Sequence, residues 1–437
     1  MTALARVHVG RRRLRLALLV ALALSALLVV RGAATAPRSG TAADVPEAPP
    51  REGITVATES ARYGTIVAWH PNGSRLYYAD EHTKYFDVDP VANTAATVEY
   101  TATDTIHTAG PTCRQPPCAR NLVERTNLTT GETTVIRARY DDTETAAEWH
   151  DHTRLSETEI VVADMVADQV VLVNTTTGLT EWRWDAQNAY PLRSGGGYPG
   201  DWTHLNDVES LSDGRIMVSL RNQDQVVFLD PDSGRRTDWT LGTDGNHSRL
   251  YEQHNPDFIP AENGGPALLV ADSENGRAIE YQRVDGEWEQ SWTWQDRRLT
   301  WVRDADRLPN GHTLLSDSNG DRVLEIDENA EVVWQTTIGF PYESERLGTG
   351  DESTGGPSAA SIDLPSQRDS DDGATPAGLL PQSMINAITY LLPGWAGTVE
   401  VVSGLGLLVV VPGWTVFEWR RRGFDVRLQW PVELRDR

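Results

Sequence analysis

The chain is 437 residues long, with 39 Lys and Arg against 63 Asp and Glu, and a formal charge of −24. Lys84 is its only lysine, and the stretch 39–419 alone holds 26 basic and 60 acidic side chains, a balance that repels phosphate backbones and excludes nucleic-acid binding. Fifteen Trp and 39% hydrophobic residues exclude a disordered chain, and the acidity suits a halophilic protein whose self-repulsion is screened by salt.

In chain order, residues 1–38 come first. Arginines precede Leu16–Val30, an apolar run without a charge that is short for a membrane span and typical of a signal-peptide core. Cleavage near Ala34 or Ala36 and retention as an anchor both stay open. A short linker, 39–54, follows.

The region 55–345 repeats one phrase: Leu76-Tyr-Tyr-Ala-Asp80, Ile160-Val-Val-Ala-Asp164, Ile216-Met-Val-Ser219, Leu268-Leu-Val-Ala-Asp272 and Thr313-Leu-Leu-Ser-Asp317. A second apolar strand follows within about seven residues, then a turn, then a strand ending in Trp184, Trp239 or Trp334. The gap between Asp80 and Asp164 leaves room for one more unit around Asn121–Tyr140. Short strands in units of 45 to 55 residues predict an all-β, six-bladed β-propeller. Within it, Cys113 and Cys118 are the only cysteines and read as a local disulfide. Sequons at Asn72, Asn127, Asn174 and Asn246 are candidate glycosylation sites.

The histidines fall in phase with the repeat. His150 and His152 precede Asp164, His204 precedes Ser219, His254 precedes Asp272, and Arg303-Asp-Ala-Asp306 takes the same step before Asp317. Equivalent positions on successive blades face one central channel, so three imidazoles are expected to converge there. The pair His150-x-His152 alone is a weak metal signal, and Asp317-Ser-Asn-Gly-Asp321 reads as a tight turn because it lacks a calcium loop's closing Glu.

Residues 346–380, rich in Ser, Gly, Pro and Asp, read as a disordered acidic linker. The segment 385–419 contains the apolar run Val401–Phe417 with Trp395, Trp414 and Trp419 at interfacial positions, a C-terminal transmembrane helix by pattern. The basic tail 420–437 then belongs in the cytoplasm, and the body outside it; both termini are cytoplasmic if the first run is retained.

One ordered set of residues carries a resemblance. His150-Asp151, His204-x-Asn206 with Ser219-x-Arg221, Gln253-His254 and Leu308-Pro-Asn-Gly-His-Thr-Leu314 resemble the arylsulfate sulfotransferase family, here with the ends and acidity of a haloarchaeal-type, membrane-anchored member. The likeness runs from about Trp149 to Trp334. It implies a six-bladed propeller outside the cytoplasmic membrane that moves a sulfuryl group from an aryl sulfate to a phenol through a sulfohistidine. His254 matches the nucleophile; Arg221, His204 and His150 would stabilise charge or move the proton. Asn206, Trp149, Trp202 and Asn255 adjoin these and are substrate-contact candidates. No metal, cofactor or nucleotide sulfate donor is implied, and the oligomeric state stays open. Asp151-His152 and Asn255-Pro256 depart from the family pattern. Two rival readings remain: a non-catalytic surface propeller binding a glycan or protein, and a metal-dependent hydrolase or lyase using the same histidines.

Overall fold

The recurring phrase earns its place by pairing. In the computed structural model Glu159–Asp164, Ile216–Leu220, Ala267–Asp272 and Thr313–Asp317 are each the second strand of an antiparallel sheet, with the histidine- or arginine-bearing segment as first strand. The structure describes residues 11–35, 45–61, 63–143, 147–296, 299–368, 382–391 and 398–421. They fall into two compact units, one of residues 38–373 and 381–386, the other of 1–37, 374–380 and 387–437.

The first unit is the six-bladed propeller. Blades 1 to 5 span Lys84–Asp141, Trp149–Asp185, Leu205–Gly242, His254–Gln295 and Val302–Thr337. Blade 6 joins the two ends of the domain: Pro341–Leu347 is its inner strand and pairs antiparallel with Ile54–Glu59, followed by Thr65–Trp69 and Arg75–Ala79. The first strands of neighbouring blades touch all the way round, so they line the axis.

The repeated side chains are structural. Asp272 accepts from Tyr251 N–H (2.7 Å) and pairs with Arg277 (2.6 Å); Asp317 accepts from Thr300 N–H (2.8 Å) and pairs with Arg322 (2.9 Å). Each ties the loop entering an inner strand to the start of the third strand. The tryptophans wedge between blades. Trp182 donates to Pro231 O of the next blade (3.0 Å), Trp294 to Ala330 O (3.1 Å) and Trp334 to Pro49 O (2.8 Å). Trp294 and Trp334 are buried, Trp182 only partly; a fully buried indole contributes about 4–6 kcal/mol before entropy is counted.

Several expectations need correction. Leu76–Ala79 lies in the fourth, outermost strand of the closing blade, not a second strand, because the C-terminal strand takes the inner place and Ile54–Glu59 the second. Residues 45–54, expected as linker, strap onto blades 5 and 6: Ala48 is buried and Trp69 donates to Pro46 O (3.1 Å). Residues 346–368, expected to be disordered, belong to the propeller. Gln367–Arg368 adds a parallel strand to blade 4, Trp292 donates to Pro365 O (3.0 Å), and Ala359 N–H reaches Glu280 Oε1 (2.8 Å). Ser, Gly and Pro there form short helical turns and edge contacts instead of a solvated tether. The rest of the expected linker, 369–380, lies outside the described residues.

Cys113 and Cys118 are disulfide-bonded. Asn72, Asn127, Asn174 and Asn246 all sit in or at the edge of turns and loops. The terminal apolar runs are helical: Leu16–Val30 lies within α1 (Arg11–Thr35), and Val401–Phe417 within α3 (Thr398–Arg421), which contains Pro412. The short α2 (Gln382–Leu391) precedes α3. Among the described residues no helix is long and apolar enough to cross a membrane, so the anchor expectation rests on the sequence pattern. The expected cleavage region after Thr35 and the tail beyond Arg421 lie outside the described residues.

Candidate active site

All six inner strands lose register with their neighbours at corresponding positions. The shifts fall between Tyr85 and Val88, Trp149 and His152, Leu205 and Asp207, His254 and Asp257, Val302 and Asp304, and Pro341 and Ser344. A bulge adds a residue and re-aims the side chains beside it, which is why such irregularities gather at functional sites. Here they bring unlike side chains from six blades to one end of the channel.

Phe86 and His150 stack at 4.4 Å between ring centroids, and His150 meets His204 edge-on at 5.0 Å. His204 lies 6.4 Å from His254, and Tyr342 lies 5.5 Å from His150 and 6.2 Å from His254. Arg303 completes the group. Its guanidinium carbon sits 4.3 Å from the Trp301 ring, 4.8 Å from Phe340 and 5.3 Å from Tyr342, and its Nη1 donates to Ser60 Oγ (3.0 Å), so aromatic faces fix the cation in place. The three in-phase histidines therefore meet, together with the arginine at the same step.

Hydrogen bonds give the imidazoles different characters. His254, 1% exposed, places Nδ1 2.8 Å from Ser273 Oγ, and Ser273 Oγ in turn lies 3.3 Å from Ala271 O. If the hydroxyl donates to that carbonyl, it accepts from Nδ1–H, and the lone pair stays on Nε2. Burial, then Arg303 and Arg221, hold the His254 pKa well below its ordinary value, so the ring is neutral. His150 is held down by burial and by His204. His204 is lowered by burial and Arg221, but Asp201, 2.7 Å from its Nδ1, opposes the shift.

The remaining candidates are placed as follows. Arg221 is at the rim, ion-paired to Glu252 and 3.8 Å from Asp201, lining a pocket of about 500 Å³ with Gly196, His247 and Tyr251. Asn206 is not on one face with His204: His204 has φ 44° and the bulge follows it, so Asn206 turns inward and donates to Gln253 O (3.0 Å). Asn255 donates to Glu343 (2.9 Å). Trp149 and Trp202 are buried in the hydrophobic clusters of blades 2 and 3 instead of joining the ring. Tyr342, Phe86, Ser273 and Asp201 were missed by sequence reasoning. Tyr342 stands on the closing strand, and only counting back from that closure reveals its phase.

Beneath the ring the same strands present acids. Asp87, Asp151, Asp207, Asp257, Asp304 and Glu343 lie on them, as do Asp89, Glu209, Asp306 and Glu345. Burial pushes the Asp151 and Asp304 carboxyls up to about 7, and burial with neighbouring acids raises Asp207, Asp306 and Glu343 well above the carboxylate range. Oxygens of Asp257, Asp304, Asp306 and Glu352 lie within 4.8 Å of one another, as do those of Asp87, Asp89, Glu343 and Glu352. Among the described residues, His150, His204 and His254 belong to no such group.

The arylsulfotransferase (ASST) family model matches residues 119–339, just over half of the chain, and spans every in-phase histidine and Arg303. The chain belongs to the arylsulfotransferase family. No curated protein matches it. Among solved structures it is similar to a protein of unknown function from Bacteroides caccae, at 11% identity, 68% of this chain, 99% of that one and a TM-score of 0.45. It is also similar to the periplasmic gluconolactonase of Pseudomonas aeruginosa (13%, 68%, 86%, 0.42) and to virginiamycin B lyase from Staphylococcus aureus (12%, 59%, 71%, 0.36). At these values the likenesses carry no argument about what the ring of an arylsulfotransferase does here.

Proposed function

We propose that the protein transfers a sulfuryl group from an aryl sulfate to a phenol, with His254 as nucleophile. The observation that carries this is a neutral His254 at the channel end, its Nδ1 engaged by Ser273, beside the aromatic-enclosed Arg303. Nε2 attacks sulfur; the N–S bond forms as the S–O bond to the aryl group breaks, and the phenolate leaves. Arg303, with Arg221 at the rim, faces the charged sulfuryl oxygens. His204 supplies the proton: burial and Arg221 hold its pKa down, Asp201 opposes them, and a bound anionic ester then favours the imidazolium. The acceptor phenol then returns a proton to His204 as its oxygen displaces His254 from sulfur. His150, neutral and stacked on Phe86, shapes the site.

Extracytoplasmic, membrane-anchored placement is part of the same proposal. It rests on the arginine-flanked apolar runs and agrees with the disulfide and the loop sequons; salt adaptation rests on the acidic balance. The test is turnover of a chromogenic aryl sulfate with a phenol acceptor by the purified full chain in concentrated salt. Turnover with sulfated protein by mass spectrometry, both lost in His254→Ala, is the expected result. No turnover and no sulfation across a donor panel would overturn the enzyme reading in favour of a binding propeller.

A further inference from the structure

The acids below the histidine ring have no counterpart in sulfuryl chemistry, which handles an anion. Asp257 lies on the inner strand of blade 4, and Asp304 and Asp306 on that of blade 5. Glu352 comes from the turn after the closing strand, where a backbone φ of 50° folds the chain back toward blades 4 and 5. Their oxygens converge within 4.8 Å, the span of two ligands opposite each other on Ca²⁺ at about 2.3–2.6 Å each.

The hydrogen bonds around them leave oxygens over. Asp304 is fully buried; its Oδ2 accepts from Ser344 N–H (2.9 Å), while Oδ1 has no hydrogen-bond partner among the described residues. Asp306, 1% exposed, likewise keeps Oδ1 unpartnered. Asp257 is held by the Ser353 hydroxyl. The nearby Arg307 guanidinium reaches Glu280 (3.0 Å), on the outer side of the strand. Four carboxylates so close cannot all stay ionised without a compensating cation, and buried native oxygens are seldom left unsatisfied.

We propose that Asp257, Asp304, Asp306 and Glu352 bind one calcium ion on the propeller axis, pinning blades 4 and 5 to the turn after the closing strand. An all-carboxylate set without His or Cys selects a hard cation over zinc or copper, and four carboxylates offer oxygens enough for calcium's high coordination number, more than magnesium, which keeps several waters, takes from protein. The site is structural, and its test does not depend on any enzymatic activity.

The full chain is purified without chelator, dialysed against metal-free concentrated NaCl and assayed for metal by mass spectrometry. About one calcium per chain is expected. EGTA should lower Tm, and calcium, not magnesium, should restore it. Asp306→Asn, nearly isosteric, should lose the calcium and the EGTA response; Glu352→Gln, in the turn, repeats the test should the first variant fail to fold. Absence of bound calcium together with a Tm indifferent to EGTA and added calcium would overturn the proposal. So would full calcium retention in a folded Asp306→Asn or Glu352→Gln chain.

Discussion

Ser273→Ala tests the proposed nucleophile without touching it. The substitution deletes the hydroxyl 2.8 Å from His254 Nδ1 and leaves the Ser273 carbonyl, which accepts from Asn386 (3.2 Å), in place. Both partners are buried, so water does not replace the bond. In the ground state a neutral hydrogen bond of this kind is worth about 0.5–1.5 kcal/mol. As Nε2 bonds to sulfur the ring gains positive charge, and the Nδ1–H bond becomes charge-assisted, worth about 1.5–3 kcal/mol. The free enzyme loses the weaker bond too, so the difference of about 1–1.5 kcal/mol lowers kcat/KM by about 5- to 13-fold. The assay is steady-state aryl sulfate turnover, with sulfated protein measured in parallel. A Ser273→Ala enzyme within twofold of the parent would refute the tautomer argument. One as inactive as His254→Ala would show that Ser273 does more than orient the ring.

Four further outcomes are expected. Arg303→Gln should reduce kcat more than Arg221→Gln, since Arg303 lies against Tyr342 within the histidine ring whereas Arg221 stands at the rim; equal losses in kcat would contradict that ranking. Burial lowers the His82 pKa, but bonds to Asp104 (3.0 Å) and Glu124 (2.9 Å) outweigh it and raise it to about 9. A raised folded pKa contributes stability that is full below the unfolded value near 6.5 and lost as pH rises through about 9, so His82→Gln should destabilise at pH 6 and converge with the parent above pH 9 in thermal melts. Cys118→Ser opens a loop of only five residues' separation and should cost about 2 kcal/mol in denaturant titrations. Tyr342→Phe removes a hydroxyl 3.2 Å from Asn206 O and 3.4 Å from His150 Nδ1; it should cost about 0.5–1.5 kcal/mol of stability while leaving the far-UV spectrum unchanged.

Much of the site was legible because a propeller repeats itself. When each blade begins with the same step, phase along the sequence is angle around the axis, and His150, His204, His254 and Arg303 could be placed together by counting. What counting missed has a common cause. Tyr342 and Phe86 lie on strands whose blades have no readable phrase or close from the far terminus. Ser273 and Asp201 act through contacts that a one-residue step in loop or bulge would abolish. The tryptophans next to the histidines looked like substrate contacts, yet the bulges send Trp149 and Trp202 into the blade interfaces. Composition misled at 346–368, where small polar residues make defined contacts with blade 4.

The sequence by itself determined the strand repeat, the number of blades, the disulfide and the phase of the histidines, because each depends on local period or on a unique pair. Only the tertiary structure decided which strand closes the ring, which hydrogen bond fixes each imidazole, and that ten acids on alternating inner-strand positions share one axis. Those facts depend on side chains hundreds of residues apart, such as Thr55 and Arg346, coming into register when the ends of the domain meet. The charge of −24, uniform on paper, is thereby split between a solvated surface and buried carboxylates beneath a ring of histidines.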